Sequence, residues 1–325
     1  MSETKTNHFS SNNMRKVILC LVISYAFNVI QAQITYYITG SGTSFTARTG
    51  NATTGAIVSG ADGVAIQNVI DAIRTREDCT IQFGSGGVNL LDIGMDCINF
   101  DDEGSNETSR KWGNITLTGK ITSNSNIATI YVTRHVRAID SHADITNTSS
   151  SGKSIFINTI SSSRKITIHR GTVHATTGDA ICNSSSNTVN IIGGTISATI
   201  GDAVQNGGYG KIIITGGTVS ATSGRAVFNP AWGDITISGT VIITSENTSA
   251  TSGTVHNDAD IEITGGTIRN TASGGNAIFI NSSGGINISS GTVEATASGY
   301  AILNANGVLD LSGTPAISGR ISAPE

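Results

Sequence analysis

Proline is almost missing from this chain, with 3 residues in 325, and charged side chains make up only 13%. Aromatic residues are scarce as well, at 5%. Each scarcity excludes a class of protein. A nucleic-acid binder carries a basic field, whereas 19 Lys and Arg here stand against 23 Asp and Glu, a formal net charge of −4. A disordered linker is rich in charge and proline and poor in apolar residues, yet 38% of this chain is hydrophobic. A disulfide framework needs paired cysteines, and beyond the N-terminal segment only Cys79, Cys97 and Cys182 remain, an odd count. What is plentiful is glycine, 39 residues, beside many Ile, Val, Thr and Ser. That mixture suits numerous short strands.

The N-terminal segment reads as an export signal. Met14, Arg15 and Lys16 form a basic start, Val17 to Ile30 an apolar core, and Gln31, Ala32 and Gln33 the expected cut. Ser24 and Asn28 interrupt the apolar run, which falls short of the roughly 20 residues a membrane span needs. Residues 1–32 are therefore expected to be removed, leaving a secreted or cell-surface bacterial protein with no membrane span. Cys20 lies inside the apolar core and does not mark a lipoprotein. Cys79 and Cys97 open similar stretches, Cys-Thr-Ile-Gln-Phe and Cys-Ile-Asn-Phe. They are either neighbours that bridge or buried free thiols.

Self-comparison decides the fold. A Gly-Thr pair recurs at Gly171, Gly194, Gly217, Gly239, Gly266 and Gly291, with a degenerate copy at Gly313, in steps of 23, 23, 22, 27, 25 and 22 residues. Every period holds three alternating segments: Gly-Thr-Val-x-Ala-Thr, then Ala-Ile-x-Asn, then x-Ile-x-Ile. Such alternation marks half-buried strands. The turns between them are too short for helices, which rules out alternating strands and helices. Leu is too sparse for a leucine-rich repeat. A three-sided coil with about nine rungs between residues 79 and 320 remains, a parallel β-helix. Asn158, Asn183, Asn206, Asn229, Asn257, Asn281 and Asn304 all follow the second segment. Asn tolerates a left-handed corner, so these residues are expected to stack as an amide ladder. The extra residues Asn247 to Gly253 belong to a loop.

A solenoid's first rung exposes its interior unless capped. Ile66, Val69, Ile70 and Ile73 fall at i, i+3, i+4 and i+7, one apolar helix stripe. An Ile-Gln-x-x-Ile-Asp-x-Ile helix, a Thr-Ile-Gln-Phe strand and the stacked short strands resemble the pectate-lyase-like right-handed parallel β-helix superfamily. The Gly-Gly-Thr-Val-Ser-Ala-Thr-Ser-Gly repeat is similar to those of secreted bacterial adhesin-like proteins. The resemblance implies an all-β fold in three parts: residues 1–32 as signal region, 33–78 as N-terminal strand and capping helix, 79–325 as coil. No comparable cap follows Ser318.

Candidate sites form columns, because residues one period apart become neighbours. Asp179, Asp202 and Arg225 share one corner. In the resembled enzymes, acidic residues hold calcium or act as acid and base, with an Arg as base, and paired carboxylates also suit glycosidic hydrolysis. Gly-Asp is equally good turn chemistry. Lys165, Thr188, Lys211, Asp234 and Asp260 form a second column, with Asp258 and Glu262 close by. Asp258, Asp260 and Glu262 make an oxygen-rich patch that calcium would suit, although no calcium-loop spacing is present and no other cofactor is implied. Tyr209 and Trp232 occupy equivalent turns, and Trp112 ends the charged stretch 101–112. Aromatic rings of this kind stack on sugars. The resulting expectation is a secreted, non-catalytic, adhesin-like or carbohydrate-binding spacer whose partner is a polysaccharide or cell-surface glycan. The alternative is a polysaccharide lyase or glycoside hydrolase acting on an acidic glycan.

Overall fold

The computed structural model describes residues 33–323 apart from 76, 85, 91–97, 101–111, 134–135, 159–163 and 231. The expected signal region, Cys97 and the stretch 101–111 lie outside the described residues. From Ile34 onward the chain forms one compact unit.

Each sequence period makes one turn of a parallel β-solenoid. One turn runs along Thr188–Ile191, Thr195–Ala198 and Val204–Asn206. All three strands pair in parallel with their equivalents above and below. Val189 faces Ile166 and Ile212, Ile196 faces Val173 and Val219, and Val204 faces Ile181 and Val227. The x-Ile-x-Ile and Gly-Thr-Val strands join into one curved sheet, because strands such as Val136–Asn147 and Ile261–Asn270 run through the corner between them. The Ala-Ile-x-Asn strands form a separate ten-stranded sheet. About eight turns stack between its end strands, Ile98–Phe100 and Arg320–Ser322, close to the nine suggested by the spacing.

Alternation decides what is inside. Val173, Ile196 and Val219 on one side, Ile181, Val204 and Val227 on the second, and Val189, Ile212 and Ile214 on the third are fully buried. Burial of each such side chain stabilises the coil by about 1.5–3 kcal/mol. A core built from aliphatic columns has little room for rings, which explains the low aromatic content. The bulky buried side chains Phe45, Phe83, Phe100 and Trp112 gather in the first turns.

Corners are set by small residues. Gly194 and Gly217 have φ of +81° and +79°, and a Cβ on either would sit 2.6 or 2.4 Å from the carbonyl oxygen of the glycine one turn earlier. Only glycine fits where backbone stacks that closely on backbone. At the next corner, Ala175, Ala198 and Ala221 lie in the same turns as Ala180, Ala203 and Ala226, all buried. Two turns carry paired hydroxyls here, Ser123 with Thr129 at 2.8 Å and Ser245 with Thr254 at 2.7 Å, while the lone Ser154 hydroxyl donates to the His174 carbonyl. A buried hydroxyl without a partner would be costly.

The N-terminal end is closed by two devices. Strand Ile34–Ser41 pairs in parallel with Cys79–Phe83 and antiparallel with Ser44–Thr49. Helix α1 (Ile66–Ala72) is the one helix among the described residues, and it buries Val69, Ile70 and the following Ile73. The Gln67 amide caps the edge strand Ile98–Phe100: its Oε1 accepts the Asn99 N–H at 2.8 Å and its Nε2 donates to the Asn99 carbonyl at 3.0 Å. A side-chain amide thus replaces a missing neighbouring strand. No helix among the described residues is long and apolar enough to cross a membrane.

Candidate functional site

Asp179, Asp202 and Arg225 do lie on successive turns, but their polar atoms are engaged. An Asp179 oxygen accepts the Asp202 N–H at 3.0 Å. Asp202 accepts the Arg225 N–H at 2.9 Å and binds the guanidinium through Nε at 2.8 Å and Nη2 at 2.7 Å. Arg225 in turn covers the Phe228 ring at 3.3 Å. Burial pushes the Asp179 carboxyl above its ordinary value, against the pull of the N–H it accepts. Asp144 and Asp260 use the same device, each accepting a backbone N–H of the following turn, from Thr172 at 2.7 Å and Gly285 at 2.8 Å. Corner carboxylates in this coil satisfy N–H groups that the strand ladder leaves open.

The asparagine column is a hydrogen-bonded ladder over four turns. Asn183 Nδ2 donates to Asn206 Oδ1 at 2.8 Å, Asn206 Nδ2 to Asn229 Oδ1 at 2.8 Å, and Asn229 Nδ2 to Asn257 Oδ1. Asn304 is buried at the same corner and bonds Gly307. Asn158 and Asn281 do not belong. Strand pairing sets Ile157 beside Asn183 and Ile280 beside Asn304, so both amides fall one residue past the corner and are exposed.

The aromatic candidates separate sharply. Tyr209 is 70% and Trp232 76% exposed. They occupy the same turn one rung apart, each following a ladder asparagine by three residues and preceding a stacked glycine, Gly210 or Gly233. Trp112 is a correction to the expected ligand contacts: it is 1% exposed and packs edge-on against Phe100 at 5.3 Å. It opens a strand, Trp112–Ser123, with its side chain turned into the core.

The calcium candidates are divided. Asp258 faces His256 at 3.5 Å and Asp260 caps Gly285, while Glu262 points outward from its strand. Among the described residues, no three His, Cys, Asp or Glu side chains converge in a way that could hold an ion. Asp260 and Glu262 instead line an open groove of about 410 Å³ with Lys211, Asp234, Asn287 and Asp310, over Ile235, Ile261 and Ile286. Tyr209 and Trp232 stand two residues before Lys211 and Asp234, which line this groove. The groove lies on the x-Ile-x-Ile side, built from columns that the sequence presents as a charged face.

Two features have no motif in the sequence. The outward position of the second strand carries Tyr131, Phe156, Cys182, Gln205, Phe228, His256 and Phe279 on successive turns. Tyr131 stacks on Phe156 at 5.1 Å, and His256 meets Phe228 and Phe279 edge-on at 5.1 and 4.8 Å. His142 and His169, 27 residues apart, stack in parallel at 4.5 Å, with His169 Nε2 3.3 Å from Asp140. Cys79 and Cys182 are buried free thiols.

The class defined by this geometry is the parallel β-solenoids. Compared with known proteins, the chain matches no family model, no curated protein and no solved structure.

Proposed function

We propose that this chain is a non-catalytic carbohydrate-binding, adhesin-like module of a secreted or cell-surface protein, in which a stiff coil presents one saccharide site. The observation that carries this reading is the pair Tyr209 and Trp232. Two large rings more than two-thirds exposed, on adjacent turns that lead into Lys211 and Asp234, are costly to leave in water. They suit a ligand with flat apolar faces and polar edges, as sugars have. The Asp, Asn and Thr side chains of the groove offer acceptors and donors for hydroxyl groups. Export by the N-terminal signal and a polysaccharide or cell-surface glycan partner complete the proposal. The lyase or hydrolase reading has less support, since Asp179, Asp202 and Arg225 are bonded to one another and to backbone. A glycan array tests the proposal: hits are expected that disappear in Trp232→Ala and weaken in Tyr209→Ala. An array without hits, or with hits indifferent to both changes, overturns it.

A further inference from the structure

Resting on that saccharide-binding reading, we infer that the groove takes a glycan bearing free amino groups, a deacetylated amino-sugar chain. The groove carries Asp234, Asp260, Glu262 and Asp310 against a single ammonium. That ammonium is already matched, Lys211 Nζ lying 3.1 Å from Asp234 Oδ2. Asp260 spends one oxygen on the Gly285 N–H. Glu262 and Asp310 are exposed on the outward side of their strands, with Asn287 between them on the intervening turn. Glu262 and Asp310 therefore stand two rungs apart, roughly 9–10 Å. Their charge is spread along the coil axis and is not gathered at one point, and no trio of side chains converges on an ion. Such a distribution answers to an extended ligand with several separated positive charges. A uronate chain would bring like charge against like, and a neutral chain would leave the carboxylates without partners.

The rings narrow the class independently of charge. Tyr209 and Trp232 offer exposed apolar faces on the turns that lead into Lys211 and Asp234, and a linear polyamine or a lysine-rich peptide cannot cover these with a ring of its own. Pyranose rings carrying ammonium groups satisfy both surfaces at once.

Isothermal titration of the full chain at pH about 6 uses three sugar hexamers, β-1,4-linked glucosamine, its fully N-acetylated counterpart and galacturonate, with hexalysine as a fourth probe. The amine-bearing hexamer is expected to bind roughly tenfold tighter than the acetylated one, as two or three surface charge pairs would give. That preference is expected to vanish in about 0.5 M salt, where such pairs are screened, and in the double variant Glu262→Gln with Asp310→Asn. Trp232→Ala should weaken both amino-sugar probes alike. Equal binding of amine and acetylated hexamers, lost in Trp232→Ala, overturns the amine preference and leaves the saccharide module standing. Hexalysine binding as tightly as the glucosamine hexamer, with no effect of Trp232→Ala, overturns both, and so does the absence of binding to all three hexamers. Both substituted carboxylates point into solvent, so circular dichroism of the double variant should match the parent.

Discussion

Asp202 holds Arg225 by main chain and side chain together, accepting its N–H at 2.9 Å while gripping its guanidinium at 2.8 and 2.7 Å. Asp202 is 5% exposed, and its carboxylate ties two turns of the coil together beside the bond from the Ala203 N–H to the Arg225 carbonyl at 2.9 Å. Asp202→Ala would leave a buried N–H and a guanidinium without their acceptor. The expected cost is about 2–4 kcal/mol, and less for Asp202→Asn, which keeps an acceptor. Denaturant unfolding measures it. Cleavage of a polysaccharide by the parent chain, abolished in a well-folded Asp202→Asn, would instead make this column catalytic.

Removing a middle rung of the amide ladder should be comparably damaging. Asn206→Ala deletes donation to the Gly210 carbonyl at 2.6 Å and to Asn229 at 2.8 Å, and takes from Asn183 Nδ2 one of its two acceptors, the Asn187 carbonyl at 2.9 Å remaining. All these groups are buried, so about 2–4 kcal/mol is expected. Asn281→Ala, at an exposed amide outside the ladder, should stay within about 0.5 kcal/mol. Equal unfolding midpoints for the two variants would refute the ladder's energetic role.

Acid should loosen the coil through two imidazoles. Burial lowers the affinity of His142 and of His256 for a proton. The neighbouring His169 adds to the effect at His142, while Asp140 opposes it there and Asp258 opposes it at His256. A folded-state value below the unfolded value of about 6.5 means that the unfolded chain takes up protons first. The neutral form's advantage is therefore intact above that pH and declines as pH falls through it. Melting temperatures between pH about 7 and 5 should drop less steeply in His142→Gln and in His256→Gln than in the parent. Parallel slopes would show that these rings do not contribute.

Buried thiols set a further test. Burial pushes Cys79 up to about 12 and Cys182 up to about 11, so almost no thiolate, the reactive form, exists near neutrality. Peptide mapping after alkylation at pH about 8 should find both residues unmodified in the native protein and modified once denaturant is added. Labelling of Cys182 at a rate unaffected by denaturant would contradict its enclosure.

Much of this architecture can be read from repetition alone. The Gly-Thr pairs mark a left-handed corner that only glycine tolerates, and the same corner returns every turn, as at Gly194 and Gly217. Asn206 and Asn229 are legible for the same reason. Asn158 and Asn281 mislead because Ile-x-Ile-Asn places an isoleucine in the amide's slot, a shift of one residue that pattern matching absorbs without notice. Trp112 misleads because charged neighbours suggest a surface loop, whereas the strand that it opens turns its indole inward. Tyr209 and Trp232 are legible as turn residues, since each sits between strand segments and directly before a glycine. The groove escapes the sequence because its walls come from several turns and from two positions within each. The ring stripe from Tyr131 to Phe279 escapes because its position varies too much in chemistry to form a motif.

The strict stacking of Val189 on Ile166 and Ile212, repeated on all three sides, gives this molecule a modular grammar. Excising Thr195 to Gly217, one whole 23-residue period, would bring Gly194 against Thr218 and let Asn183 meet Asn229 across the new junction. The shortened protein would keep its cross-section and lose only height. Excising twenty residues, Thr195 to Ile214, would instead leave Thr215, Gly216 and Gly217 as extra corner residues, an irregularity of the kind that the 25- and 27-residue turns already accommodate.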